Sequence, residues 1–364
     1  MIRTKLEQDQ TVCHFVPKWP GNPYHAELAE HLNENGVHVR EEGGLKWIAK
    51  ESRISGRLPD VIHFHALPRF ELGLFDFLRF VMFWIRLFLF QKRGVQIVWT
   101  IHDSFHHEAR YPQVDRMFSR LLYRKADAII IHSAAAGRAV ERQWDVKADE
   151  SVFVVPHGNY IGSYLNTISK REARMKFGVP VGKLTFLFLG MIRPYKGVVG
   201  LIENFKALSD DCAHLLIAGK PFSDEISAQV SSAAGDHPGI HYWPGNIEND
   251  EMQDYLNAAD VVVFPYARAL TSGALILAMS FSRACIAPRM GALEDTLDEG
   301  GGFLYDPADS IGLRKAMKKA IDEAPKLARM GALNMDRAKG WDWDMVARMT
   351  ANIYHRSRSK PTDL

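Results

Sequence analysis

Short runs rich in β-branched and aromatic residues alternate along this chain with longer stretches whose apolar residues recur at helical spacing. In the first half, VCHFV (12–16), DVIHFH (60–65), VQIVWTIH (95–102), DAIIIHS (127–133) and VFVVPHG (152–158) predict strands. Helical period over 23–35 and 115–125 lies between them. The second half repeats the rhythm with LTFLFLG (184–190), AHLLIAG (213–219), GIHYW (239–243), DVVVFPY (260–266) and ACIAP (284–288). Helical stretches at 198–208, 249–258 and 273–281 intervene. Apolar strands separated by helices are what a parallel sheet covered on both faces requires. Two such series predict an α/β protein of two doubly wound domains, with ligands at the carboxyl ends of the strands. The polar stretch 164–170 is the expected boundary, and 364 residues suit two domains at roughly 100–200 residues each.

One segment breaks the rhythm. FELGLFDFLRFVMFWIRLFLF (70–90) is as long as a membrane span, but Glu71, Asp76, Arg79 and Arg86 interrupt it. Asp76, Arg79 and Arg86 fall on one helical stripe with a broad apolar face opposite, and Lys92 and Arg93 follow. A helix packed on a sheet and an interfacial helix on anionic lipid both fit this pattern. The local charge is compatible with the second reading without excluding the first. The formal net charge is only +2, yet residues 69–125 hold ten Lys/Arg against five Asp/Glu. Cys13, Cys212 and Cys285 are far apart and form no CxxC, which argues against a disulfide framework or a cysteine zinc site and fits a reducing cytoplasm. The charged first nine residues lack the apolar core of a signal peptide.

Polar residues gather just past the predicted strands. Gly190-Met191-Ile192-Arg193-Pro194-Tyr195-Lys196-Gly197 follows one strand and precedes a helix. Arg supplies a planar fork and Lys a point charge, so Arg193 and Lys196 suit a diphosphate, aided by the helix N-terminus. Thr271-Ser272-Gly273-Ala274 follows another strand; a hydroxyl cap and a glycine there let an anion approach the free N–H groups. In the first half, His63 and His65 face the same side of one strand, and another strand runs into His102-Asp103-Ser104-Phe105-His106-His107-Glu108. An ionisable cluster at a strand end suits acid–base work. The competing reading is a metal hydrolase with His63, His65 and His102 as ligands, although such sites usually belong to one closed barrel.

GNPYHAEL (21–28), DVIHFH (60–65), TIHDSFHHE (100–108), HGNY (157–160), IRPYKG (192–197), FPY (264–266), TSGALILAMSF (271–281) and APRMG (287–291) stand in the order of a known family. Over residues 20–355 the chain resembles bacterial GT-B glycosyltransferases of exopolysaccharide assembly, nearest the xanthan-type β-mannosyltransferases. Those enzymes move mannose from GDP-mannose onto a polyprenyl-diphosphate-linked oligosaccharide. The resemblance implies two Rossmann-like domains facing across a cleft: an acceptor domain of residues 1–166, joined by a crossover helix in 343–364, and a nucleotide-sugar domain of 167–342. It implies a metal-independent reaction with no cofactor, and a cytoplasmic protein held peripherally on the inner face of the membrane through 70–93. Nucleotide sugar and lipid-linked glycan are the expected partners, and no nucleic acid. Gly190, Arg193, Lys196, Tyr266, Thr271, Ser272, Gly273 and Ala274 would bind the donor, with Phe264–Tyr266 and Gly219–Phe222 near base or ribose. Asn22, Tyr24 and His65 would meet the acceptor. Where related retaining enzymes carry two glutamates, this chain has Ala269 and Leu277, which favours an inverting transfer. Such a transfer needs a base; Glu108 is the first choice and Asp103 the second, with His102 on the base or the donor sugar. A retaining enzyme using a UDP-sugar and a catalytically silent nucleotide-sugar-binding partner are the remaining alternatives.

Overall fold

The computed structural model describes residues 10–19, 23–41, 43–67, 74–103, 111–208 and 213–356. The chain divides into two compact units, Met1–Gly158 with Asp342–Leu364, and Asn159–Trp341. The division falls at Gly158, before the polar stretch 164–170 that the sequence suggested, because Asn159 N–H already bonds Trp341 C=O of the second unit at 2.9 Å.

The first unit runs β1 (Thr11–Val16), α1 (Pro23–Glu34), β2 (Val37–Arg40), α2 (Leu45–Ser55), β3 (Val61–Phe64), α3 (Leu74–Gln91), β4 (Gln96–Thr100), α4 (Pro112–Lys125), β5 (Ala128–Ile131), α5 (Ala134–Trp144) and β6 (Val152–Val154). Its six strands are all parallel, in the order β2-β1-β3-β4-β5-β6. β1, β3, β4 and β5 are buried along their whole length, as the apolar runs foretold. β2 escaped the sequence pattern because VHVR is a four-residue edge strand that alternates. α5 was also missed; it starts where Ser133 Oγ accepts the Ala136 N–H at 3.1 Å.

The second unit runs α6 (Lys170–Lys176), β7 (Leu184–Leu189), α7 (Val198–Lys206), β8 (Ala213–Gly219), α8 (Asp224–Ala234), β9 (Ile240–Pro244), α9 (Met252–Ala258), β10 (Val261–Val263), α10 (Gly273–Ser280), β11 (Ala284–Pro288), α11 (Gly291–Thr296), β12 (Gly302–Tyr305), α12 (Gly312–Asp322) and α13 (Leu327–Lys339). Its parallel strands lie in the order β12-β11-β10-β7-β8-β9, so succession reverses beside β7. α6 begins in a capping box: Ser169 Oγ accepts from Glu172 N–H, and the Glu172 carboxylate accepts from Ser169 N–H. Arg174 on that helix is 1% exposed and bonds Asp260 Oδ2 at 2.6 Å and the Val181 and Ala258 carbonyls, a satisfied charge that ties the start of β10 to α6. The last helix, α14 (Trp343–Arg356), belongs to the first unit and packs on α1. Val346, Ala347, Ile353 and Tyr354 are buried there beside Leu28 and Leu32.

Candidate active site

The strand reversal of the second sheet puts the loops after β7 and β10 side by side, the usual place for a ligand in an open parallel sheet. Residues Pro194–Lys196 form one 3-10 turn, closed by Gly197 at φ +66°. A Cβ on Gly197 would stand 2.1 Å from the Pro265 carbonyl oxygen, so the two loops touch only because this residue has none. Ala267 N–H donates to Tyr195 C=O at 2.8 Å and holds them together. The Lys196 ammonium lies 5.5 Å from the Tyr266 ring centroid, and 3.6 Å from where a Cβ on Gly190 would be. The loop after β8 is bound to the loop after β7 by Ile192 N–H to Lys220 C=O, 2.8 Å, and Phe222 N–H to Ile192 C=O, 2.9 Å. Phe222 thereby sits under the Arg193 guanidinium, 5.2 Å from ring centroid to Cζ. At the start of α10, Ser272 Oγ accepts the Leu275 N–H at 3.2 Å, while Thr271 through Ala274 remain half-exposed. Arg193, Lys196, Gly190, Tyr266, Phe222 and the cap of α10 are thus all on strand ends of one sheet. Two cations on glycine-shaped loops near a helix N-terminus are suited to a phosphorylated ligand.

In the first unit, four neighbouring strands each deliver a histidine just past their carboxyl end: His65 after β3, His102 after β4, His132 after β5 and His157 after β6. His65 Nδ1 is 3.3 Å from His102 Nε2, and His102 Nδ1 is 3.2 Å from His132 Nε2. His132 Nδ1 bonds the Val155 carbonyl at 3.0 Å, and His157 Nδ1 the Gly158 carbonyl at 2.7 Å. Tyr24 from α1 meets the His102 ring edge-on at 4.9 Å between centroids. Burial lowers every one of these imidazoles from the ordinary 6.5: His132 to about 4, His157 to about 3, and His65 and His102 well down, and neighbouring histidines lower His65, His102 and His157 further. All are therefore neutral at pH 7.

Several expected roles shift on this geometry. His63 does not join His65 and His102 as a ligand set: its Nδ1 faces the Tyr354 hydroxyl at 2.6 Å and its Nε2 the Thr100 hydroxyl at 2.7 Å. Among the described residues, no three His, Cys, Asp or Glu side chains are placed to hold a metal ion. His65 and Tyr24, expected at the acceptor, are 2% and 4% exposed and pack around His102 rather than open to solvent. His102 is half-buried and Asp103 exposed at the end of β4. Asn22, His106, His107 and Glu108 lie outside the described residues. Leu277 is 8% exposed in the core and Ala269 half-buried, so neither place supplies a carboxylate. His132 was overlooked by the sequence reading. Its signal was there: four successive predicted strands of the first half contain a histidine at or near their end.

α3 buries Phe83, Leu87 and Phe90 against the first sheet and leaves Phe77, Leu78, Met82, Ile85, Phe88 and Leu89 between 40% and 62% exposed. The sequence suggested a core helix or an interfacial one, and the helix has features of both. Its Phe80, Phe83 and Trp84 pack on Phe118 of α4, which adds exposed Met117 and Leu121. A groove of about 680 Å³ opens beside it, walled by Val16, Leu45, Leu67, Leu78, Met82 and Phe83, with Lys46, Arg79 and Arg86 also lining it. No helix among the described residues is long and apolar enough to cross a membrane.

Known proteins match both units. A family model described as glycosyl transferases group 1 matches residues 183–323, and one described as glycosyltransferase family 4 matches 43–158. The GDP-mannose:glycolipid 4-beta-D-mannosyltransferase of Xanthomonas campestris pv. campestris is 26% identical over 284 residues, which covers 75% of this chain and 72% of that one. The D-inositol 3-phosphate glycosyltransferase of Streptomyces scabiei is 24% identical over 64% of this chain, and the match spans only 54% of that enzyme. Among solved structures, sucrose-phosphate synthase from Thermosynechococcus elongatus superposes with a TM-score of 0.75 at 18% identity, covering 95% of this chain and 98% of that one. Anabaena HepE in complex with UDP and glucose gives 0.71 at 16% identity, covering 95% and 99%.

Proposed function

The chain is a nucleotide-sugar-dependent glycosyltransferase of the GT-B fold, and from that premise we propose that it transfers a hexose with inversion from GDP-mannose to a polyprenyl-diphosphate-linked oligosaccharide in exopolysaccharide assembly. The observation that carries the donor half is that Arg193 lies over Phe222 and Lys196 over Tyr266, at strand ends of the sheet that also carries the cap of α10. On this reading the two cations offset charge that grows on the leaving diphosphate, and the N–H groups of α10 share it. Metal is not required by this scheme. GDP-mannose and the lipid-linked acceptor come from the Xanthomonas relative, whose name specifies both a GDP-mannose donor and a glycolipid.

The acceptor half rests on α3. Six exposed apolar side chains along one helix, with Arg79, Arg86, Lys92 and Arg93 beside them, suit an interfacial helix on an anionic leaflet, which would hold the protein peripherally on the cytoplasmic face. The adjoining groove offers apolar walls and cations to a lipid that carries phosphate. Proton removal from the acceptor hydroxyl falls to a carboxylate in the segment after β4, Glu108 first and Asp103 next. Retaining transfer from a UDP-sugar is the second reading, favoured by the family 4 match and by the UDP-bound neighbour. A thermal-shift panel of GDP, UDP, dTDP and ADP tests the donor, because a ligand that binds only the native state raises its melting point. GDP alone should raise it. A shift with UDP alone transfers the reading to UDP-sugars, and no shift with any of the four sinks it. The anomeric configuration of the product, read by NMR, then separates inversion from retention.

A further inference from the structure

The hydrogen-bond chain along the ends of β3, β4 and β5 has only one possible direction. The Val155 carbonyl can only accept, so His132 Nδ1, 3.0 Å away, carries the proton. A neutral His132 then has its lone pair on Nε2, and the nitrogen facing it at 3.2 Å, His102 Nδ1, is the donor. The same logic leaves the lone pair of His102 on Nε2, where it accepts from His65 Nδ1 at 3.3 Å. One backbone carbonyl thereby sets the tautomer of three rings. The chain ends at His65 Nε2, a buried lone pair that meets no hydrogen-bond partner among the described residues.

We infer that His65 and His132 are positioning residues for the transfer reaction, which pin His102 by both ring nitrogens as the neutral Nδ1–H form and so bar it from acting as the base. Both nitrogens of His102 point along the chain, so the ring has none left with which to take a proton from an acceptor hydroxyl. What the chain holds in place is the end of β4, where Asp103 follows His102 directly and is exposed. The rings of Tyr24, 4.9 Å away, and Trp19, 6.3 Å away, close around His102 and restrict its tilt. This inference rests on the glycosyltransferase reading proposed above.

Ring-nitrogen NMR of the full-length protein with 15N-labelled histidine tests the chain without reference to activity. Free imidazole side chains favour the Nε2–H form, so three coupled Nδ1–H rings at neutral pH are a distinctive signature. His102 found as Nε2–H, or as an imidazolium at pH 7, overturns the inference. Kinetics test the positioning role. His132→Leu removes the acceptor for His102 Nδ1–H, whereas the amide oxygen of His132→Gln can replace it. His132→Leu should lower kcat by about ten- to a hundredfold, the usual cost of losing a group that orients a site residue. The KM for the nucleotide sugar should stay unchanged, and His132→Gln should recover most of the loss. Wild-type kcat in His132→Leu, or equal losses in both variants, overturns the positioning role even with the tautomers as stated. A wild-type chain that turns over no nucleotide sugar removes the transfer reading, and the positioning role with it. A wrong tautomer removes the chain while transfer stands.

Discussion

Gly197 shows how little room the donor loop has. Its φ of +66° disfavours a side chain there, and the 2.1 Å between a would-be Cβ and the Pro265 carbonyl excludes one. Lys196 is fixed by its neighbour in the chain, and the ammonium rests between the Tyr266 ring and Gly190. Preorganised charge of this kind acts on the transition state without reorganisation, so Arg193→Ala and Lys196→Ala should each lower turnover by about one to three decades. Steady-state rates decide this, and wild-type rates in both variants would remove the cations from the mechanism. These residues were legible in the sequence because a Gly/Pro-shaped loop with two cations follows an apolar strand, which is a local pattern. His132 was legible only as one of four successive strand-end histidines. A histidine at the end of one strand means little until the register of β3, β4, β5 and β6 sets its neighbours beside it, and register is not local.

α3 could be read from its own eighteen residues only in part. The sequence suggested an apolar face opposite a polar stripe of Asp76, Arg79 and Arg86. In the structure apolar side chains occupy both the buried side, at Phe83, Leu87 and Phe90, and much of the exposed side. An apolar patch of that extent on a folded surface marks an interaction site. Burying one such side chain is worth about 1.5–3 kcal/mol, so Ile85→Glu or Phe88→Glu should weaken binding to anionic vesicles by roughly tenfold or more. Vesicle co-sedimentation measures it, with nucleotide-induced thermal shifts as the check on folding. Unchanged co-sedimentation in both variants would rule out α3 as the contact. The strands themselves were the easiest elements to foresee, since a strand buried on both faces is apolar throughout. β2 and β12 are edge strands of four residues each, too short to stand out, and α5, α8, α12 and α13 carry mixed sequences whose place is set by packing against the strands.

For the molecule as a whole, acid should act first on the Met1–Gly158 unit. His25 and His132 are lowered to about 4 by burial, and His63 and His157 to about 3, against an ordinary value of 6.5. Between those values the unfolded chain binds protons that the native one refuses. Stability is therefore complete above about pH 6.5 and falls as pH drops towards 4, by about 1.4 kcal/mol per pH unit for each histidine that stays neutral. In the Asn159–Trp341 unit, His214 and His241 are also lowered by burial, but both are only half-buried. Urea unfolding at pH 7.5, 6 and 5 should show an early transition whose midpoint drops steeply with acid. A midpoint that does not move over that range would contradict neutral burial of the cluster.

The return of α14 to the first unit also has a consequence for synthesis. When residue 341 leaves the ribosome, all six strands of the first sheet already exist, but the helix that covers α1 does not. His63 then lacks the Tyr354 hydroxyl, and Leu28 and Leu32 lack Val346 and Ala347. The second unit has all its elements by then, so the half made first is the half finished last. A chain stopped after Trp341 should keep a nucleotide-responsive second unit and expose the Leu28 and Leu32 face of α1 in the first, seen as dye binding and chaperone capture. During every round of translation the nascent protein passes through that state, and it ends only when the last helix closes it.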